Sequence, residues 1–221
     1  NDKKDNMSWS IDYTDFTKSF FKNIIRNHES EGVDFWWIDW QQHLTSNDTY
    51  GLSETFWCNH IFFNDMVRKR TDRRPVIFHR WGGLGSHRYQ IGFSGDALIN
   101  FQTLGFQPYF TATASNVGYG YWGHDLGGHA FTDESIVNDP ELVLRWIQFG
   151  VFTPIFRTHA TNDARIERRI WKFDNFPTML EAVRLRYSLF PYLYTMARKA
   201  YDTGISVCRP LYYEYPESEE A

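Results

Sequence analysis

Five polar residues in this chain of 221 each sit just past the C-terminal end of a run that reads as buried: Asp39 after VDFWWI, Arg80 after VIFH, Asp96 after Tyr89–Phe93, Asp125 after the run ending in YWGH and His159 after Phe152–Arg157. Asp39 and Asp96 are isolated acids among aromatics. Burial there disfavours the ionised form, and a neighbouring carboxylate disfavours it further for one partner. Two acids with separated pKa values are what cleavage of a glycosidic bond uses: an ionised nucleophile, and a protonated acid that donates to the leaving oxygen. Asp is also a favoured N-cap, so each could instead begin the helix that follows its strand. Arg80 could donate to sugar hydroxyls or pair with Asp39 or Asp96, and these uses are compatible. His159 could hydrogen-bond a hydroxyl beside the reacting carbon, or be a structural histidine.

Other chemistries fit less well. His124, Asp125 and His129 match no standard ligand spacing, HExxH is absent and no Cys lies nearby, so no metal is expected. Ser94 and Ser86 lack the GxSxG frame of a serine hydrolase. WGGLGS has neither the GxGxxG spacing nor a GK[ST] ending, which argues against a phosphate loop. Asn47-Asp48-Thr49 is a formal glycosylation sequon, relevant only to a secreted protein. With 23 Lys+Arg against 27 Asp+Glu the net charge is −4, so the chain has no general field for nucleic acid. No apolar run approaches the ~18–20 residues of a membrane span. Two cysteines, Cys58 and Cys208, are too few for a disulfide framework. Aromatic residues make up 19% of the chain, enough to fill a core and to line a sugar site as well. Trp40 and Trp81, just past strand ends, are the candidates for stacking on a sugar, with Trp37 and Phe93 beside them.

The elements that must position these groups alternate. Asp12–Gly32 reads as a helix with Phe16, Phe20, Phe21, Ile24 and Ile25 on one face. Val33–Ile38 reads as a strand buried on both faces. A helix over Thr55–Arg70 leads to a strand at Val76–His79. Tyr89–Phe93 precedes a helix over Ala97–Leu104, and Val117–Trp122 leads to His124 and Asp125. Pro140–Gly150 is a helix before Phe152–Arg157, and one long helix runs from Thr178 to Tyr201. Hydrophobic strands alternating with helices predict a parallel sheet with helices outside it. Polar residues gathered at the C-terminal strand ends favour a (β/α)8 barrel over an open sheet. At ~250 residues for a typical barrel, the chain holds about five of eight strands, roughly strands 4–8. Asn1–Asn6 opens without an initiator Met or signal peptide, and Arg209–Tyr215 reads as a strand with nothing to pair with. The expectation is a piece of a longer protein: residues 1–204 from a barrel, and 205–221 the start of a small β-sandwich. Such a piece alone is expected to be inactive, with open sheet edges and half a pocket.

At these residues the sequence resembles glycoside hydrolase family 31, the α-glucosidase and α-xylosidase family. GVDFWWID resembles the segment carrying the family's nucleophile, at Asp39. RPVIFHRWGGLGSHRYQIGFSGD resembles the segment with a sugar-binding arginine and then the acid/base, at Arg80 and Asp96. YWGHDLGGH resembles the strand-7 motif, with Asp125, and ELVLRWIQFGVFTPIFRTH the strand-8 region, with a substrate-contacting histidine at His159. CRPLYYEYP is similar to the start of the sandwich domain. The resemblance implies hydrolysis of terminal α-linked sugars with retention, by a double displacement, without metal or organic cofactor. Two departures bear on the sugar: Asp39-Trp40-Gln41-Gln42 where the family commonly has Asp-Met-Asn-Glu, and Phe93 where it commonly has Trp. They leave α-galactosidase, α-N-acetylgalactosaminidase, α-xylosidase and transglycosylase specificities open beside α-glucosidase. A carbohydrate-binding fragment without catalysis is the rival from another class. The substrate implied is an oligosaccharide or glycoside; the sequence assigns neither compartment nor oligomeric state.

Overall fold

A computed structural model describes residues 13–39, 50–80, 84–132 and 136–221. The chain forms two compact units, Asn1–Gly83 and Leu84–Ala221. In the first, the expected amphipathic helix runs as α1 (Thr14–Phe20), a π-helical stretch (Phe21–Ile25) and α2 (Arg26–Ser30). Its apolar side meets α3 (Glu54–Lys69), with the Phe21 and Phe62 ring centroids 4.9 Å apart and Ile25 and Met66 buried. Ser53 caps α3 by accepting from the Phe56 N–H. Arg26 pairs with both Glu29 and Asp65, joining the two helices by charge as well.

The strands of this unit are short. β1 (Trp36–Ile38) lies parallel to β2 (Ile77–Arg80), with Trp36 opposite Ile77, Trp37 opposite Phe78 and Ile38 opposite His79. β2 is buried as expected, but β1 is not covered on both faces. Ile38 is buried whereas Trp37 is 44% exposed, its ring stacked on Phe78 at 6.5 Å. Side chains alternate across a strand, so one face of β1 is core and the other carries a half-open indole.

In the second unit β3 (Gly92–Phe93), β4 (Trp122–Leu126) and β5 (Ile155–Thr158) are parallel and adjacent in that order. Gly123 permits the close approach of β4 and β5, since a Cβ there would sit 2.7 Å from Ile155 Cβ. α5 (Pro140–Gly150) has the bounds expected: Asp139 accepts from the N–H groups of Glu141 and Leu142, and Pro140 opens the first turn. It buries Leu142, Trp146 and Ile147 against Leu126 and Ile99.

Three elements depart from expectation. The helix placed at Ala97–Leu104 is α4 (Phe101–Thr113), capped by Asn100, whose side chain accepts from Thr103 N–H at 2.7 Å. Residues 97–99 instead pair with backbone beyond β4: His129 N–H donates to the Ala97 carbonyl at 2.7 Å, and Ile99 N–H to Ala130 at 2.8 Å. The helix expected over Thr178–Tyr201 is two, α6 (Phe176–Ser188) and α7 (Phe190–Thr203). The break falls just before Pro191, which has no N–H to continue the ladder and crowds the preceding turn. Arg209–Tyr215 is not a strand but encloses a 3₁₀ turn at Leu211–Tyr213, with Arg209 paired to Glu214. Among the described residues, no helix is long and apolar enough to cross a membrane.

Candidate active site

In the first unit the acid after β1 and the cation at the end of β2 meet. Arg80 Nε donates to Asp39 Oδ1 at 2.7 Å. The parallel register dictates this, since Ile38 lies opposite His79 and each partner is one residue further on. The Asp39 side chain keeps 25% of its surface open, so the arginine holds the carboxylate without sealing it. Trp37 lies two residues back on the same strand. Trp40 and Trp81, together with the sequon at Asn47, lie outside the described residues.

In the second unit a chain of polar groups runs from β5 to the end of β3. Asp125, within β4 and 0% exposed, sits in register with Arg157 of β5. Its Oδ1 accepts from Arg157 Nη2 at 2.7 Å and Nε at 3.3 Å. Its Oδ2 is 3.4 Å from Nδ1 of His129, whose Nε2 in turn lies 3.6 Å from Oδ1 of Asp96. The His159 ring stands 5.0 Å from that of His129. The backbone pairing of residues 97–99 with 129–130 is what brings Asp96 to His129.

Other residues support this chain. Phe93 is 1% exposed and lies beneath the Arg157 guanidinium, 5.0 Å from ring centroid to Cζ. It therefore offers no open face to a sugar, and the substrate contact expected of it is corrected to a platform for Arg157. His124 is not at a strand end but in the core of β4. Its two ring nitrogens lie 2.7 Å from Thr111 Oγ1 and 2.8 Å from Ser94 Oγ, and burial lowers its pKa to about 3. Arg168 donates to the carbonyls of Gly127 and Gly128 at 2.8 and 2.9 Å, fixing the turn that leads into His129. Burial lowers the Arg168 pKa to about 10.

Asp125, His129 and His159 each bring a potential ligand atom within 4.8 Å of the others. Arg157 already occupies Asp125 and sets a fixed positive charge beside the group. That opposes a second cation, and the group is a cluster of polar side chains at close range, in which His129 Nδ1 and Asp125 Oδ2 make no hydrogen bond. Arg157 and the cluster around His129 were not picked out from the sequence. The signal for Arg157 was available: period-2 alternation puts it on the same strand face as His159.

Residues 2–196 match the profile of the glycosyl hydrolases family 31 TIM-barrel domain. The chain belongs to this family. Its family 31 relatives include a probable glucan 1,3-alpha-glucosidase of Oryza sativa, 34% identical over 81% of this chain and 19% of that protein. Alpha-glucosidase 2 of Bacillus thermoamyloliquefaciens is 30% identical over 92% of this chain and 24% of that one. The chain thus spans about a fifth to a quarter of the length of these relatives. Among solved structures, a Flavobacterium johnsoniae family 31 dextranase complexed with glucose superposes with a TM-score of 0.76 at 25% identity, covering 94% of this chain and 28% of that one. A family 31 alpha-xylosidase from a soil metagenome shares the fold, with a TM-score of 0.78 at 24% identity over 96% of this chain and 36% of that one. The partial (β/α)8 barrel expected from the sequence is the fold found.

Proposed function

We propose that the protein containing this chain is a retaining α-glycoside hydrolase that removes terminal α-linked sugars, with Asp39 as nucleophile and Asp96 as acid/base. The observation that carries this reading is the Arg80–Asp39 pair at neighbouring strand ends. A carboxylate held by a guanidinium, yet open on one side, is positioned for attack. In the first step Asp39 attacks the anomeric carbon, the bond to the glycosidic oxygen breaks, and Asp96 gives its proton to that oxygen. In the second, Asp96 takes a proton from water, whose oxygen attacks the same carbon and releases Asp39. Retention requires the two carboxyls about 5–5.5 Å apart. Arg80 and His159 would hold sugar hydroxyls, with Trp37, Trp40 and Trp81 as apolar walls. Asp125 acts one layer behind.

The names of the relatives favour α-glucosides first. A 1,6-alpha-glucosyltransferase of Sporosarcina globispora, 37% identical over 60% of this chain, keeps transfer to a second sugar in the same frame. Trp40-Gln41-Gln42 is where a different sugar would be sensed. A panel of α-linked nitrophenyl sugars (glucose, xylose, galactose, N-acetylgalactosamine) on the full-length protein identifies the substrate. With it, Asp39→Asn and Asp96→Asn should each abolish most turnover, and azide should rescue Asp96→Ala on an activated substrate. Release of the β-anomer as first product, or full turnover by Asp39→Asn, would refute the reading.

A further inference from the structure

We propose that His129 is a positioning residue for Asp96, with Asp125, which Arg157 holds, on its other side. The proposal rests on the reading of Asp96 as acid/base and adds to it a group that faces that carboxyl. Asp125 is fully buried and paired with Arg157, so it can only accept. Of the His129 nitrogens, Nδ1 faces Asp125 Oδ2 at 3.4 Å without a formed hydrogen bond, and an acceptor on that side favours the hydrogen on Nδ1 in the neutral ring. In the neutral ring Nε2 is then a lone pair, aimed at Asp96 Oδ1 from 3.6 Å. A shift of about half an ångström, of the kind catalytic hydrogen bonds undergo when substrate binds, closes that gap.

A lone pair at this place can accept only from a protonated Asp96. It favours the acid form needed for the first step and orients its proton. Once that proton has left with the departing sugar, the same lone pair opposes the carboxylate and strengthens its pull on a proton of the incoming water. The role of His129 is to bias where the proton of Asp96 resides. Among the described residues, the charged and titratable groups around it are Asp125 from β4, Asp96 beyond β3 and His159 beyond β5, with Arg157 of β5 on Asp125 and Arg168 behind its turn.

The test uses the full-length enzyme with its preferred sugar, comparing a methyl with a dinitrophenyl leaving group across pH. His129→Phe should lower kcat/KM for the methyl glycoside by about ten- to a hundredfold. It should also move the high-pH limb about one unit lower, because the protonated carboxyl loses its acceptor. The dinitrophenyl glycoside, whose departure needs no acid, should lose less than about threefold. His129→Gln, whose side-chain oxygen can reach the place of Nε2, should restore most of the loss, whereas His129→Asn should not. The Gln and Asn pair also decides the matter if the Phe variant does not fold. Equal losses on both leaving groups with an unmoved pH limb would show a merely structural histidine and overturn the proposal. If Asp96→Asn itself retains turnover, the acid/base assignment fails, which is a separate outcome.

Discussion

Replacing Arg157 with Met keeps most of its stem and removes its charge. Asp125 would then lose both N–H donors to Oδ1, at 2.7 and 3.3 Å, while its carboxylate remains 0% exposed. Its other oxygen makes no hydrogen bond, with His129 Nδ1 3.4 Å away. Removing one partner of a buried pair costs about 3–5 kcal/mol, because the remaining charge is uncompensated. Asp125→Asn is milder: Arg157 is 23% exposed and can turn to water, so about 1–3 kcal/mol is expected. The double variant carries no stranded carboxylate and should cost about as much as Asp125→Asn alone. Hydrogen exchange on peptides covering β4 and β5 reads this locally. At about 1.36 kcal/mol per tenfold, Arg157→Met should lower protection there by about two to four orders of magnitude. Additive losses in the double variant, or less than a tenfold loss for Arg157→Met, would refute the argument that the pair holds β4 to β5.

Three further outcomes are expected. Gly123→Ala should cost about 1–3 kcal/mol by the same exchange measurement, since its Cβ would meet Ile155 Cβ at 2.7 Å and Ile155 O at 2.8 Å. His124 is buried neutral with a pKa of about 3 against an ordinary 6.5, so the unfolded chain binds a proton that the folded one refuses. Stability is therefore complete above about pH 6.5 and falls as the pH drops towards 3, with about 2 kcal/mol lost by pH 5. Protection of β4 amides, corrected for intrinsic exchange, should show that slope, and His124→Gln should flatten it. Arg80→Met should lower kcat/KM by about a hundredfold on any accepted glycoside, because Asp39 loses the donor that orients it. Unchanged kinetics would remove Arg80 from the site.

Much of this arrangement was legible in the chain because the governing signals are local. Asp139-Pro140 and the apolar spacing that follows specify α5 to the residue. Buried runs ending in Asp39 and Arg80 specify neighbouring strands whose register makes an ion pair. What was misread depended on partners distant in sequence. His124 and Asp125 looked like the end of a strand because polar residues usually terminate a buried run. They are tolerated inside β4 because Thr111 and Ser94 satisfy one and Arg157 the other. Asp96 and His129 are separated by 33 positions and meet only because residues 97–99 form a bridge rather than the helix their composition suggested. The single long helix failed for a local reason that was visible: Pro191 was in plain view.

The Arg168 clamp has a consequence for anyone redesigning the pocket. The carbonyls of Gly127 and Gly128 turn inward to meet a guanidinium that belongs to a different loop, 40 residues downstream. A Cβ on Gly127 would collide with that same side chain, 2.5 Å from its Nε. The two loops are thus one structural unit. A specificity graft that transplants the loop after β4 without its arginine would deliver two dipoles facing an empty socket, and the imported side chains would not arrive in their donor geometry.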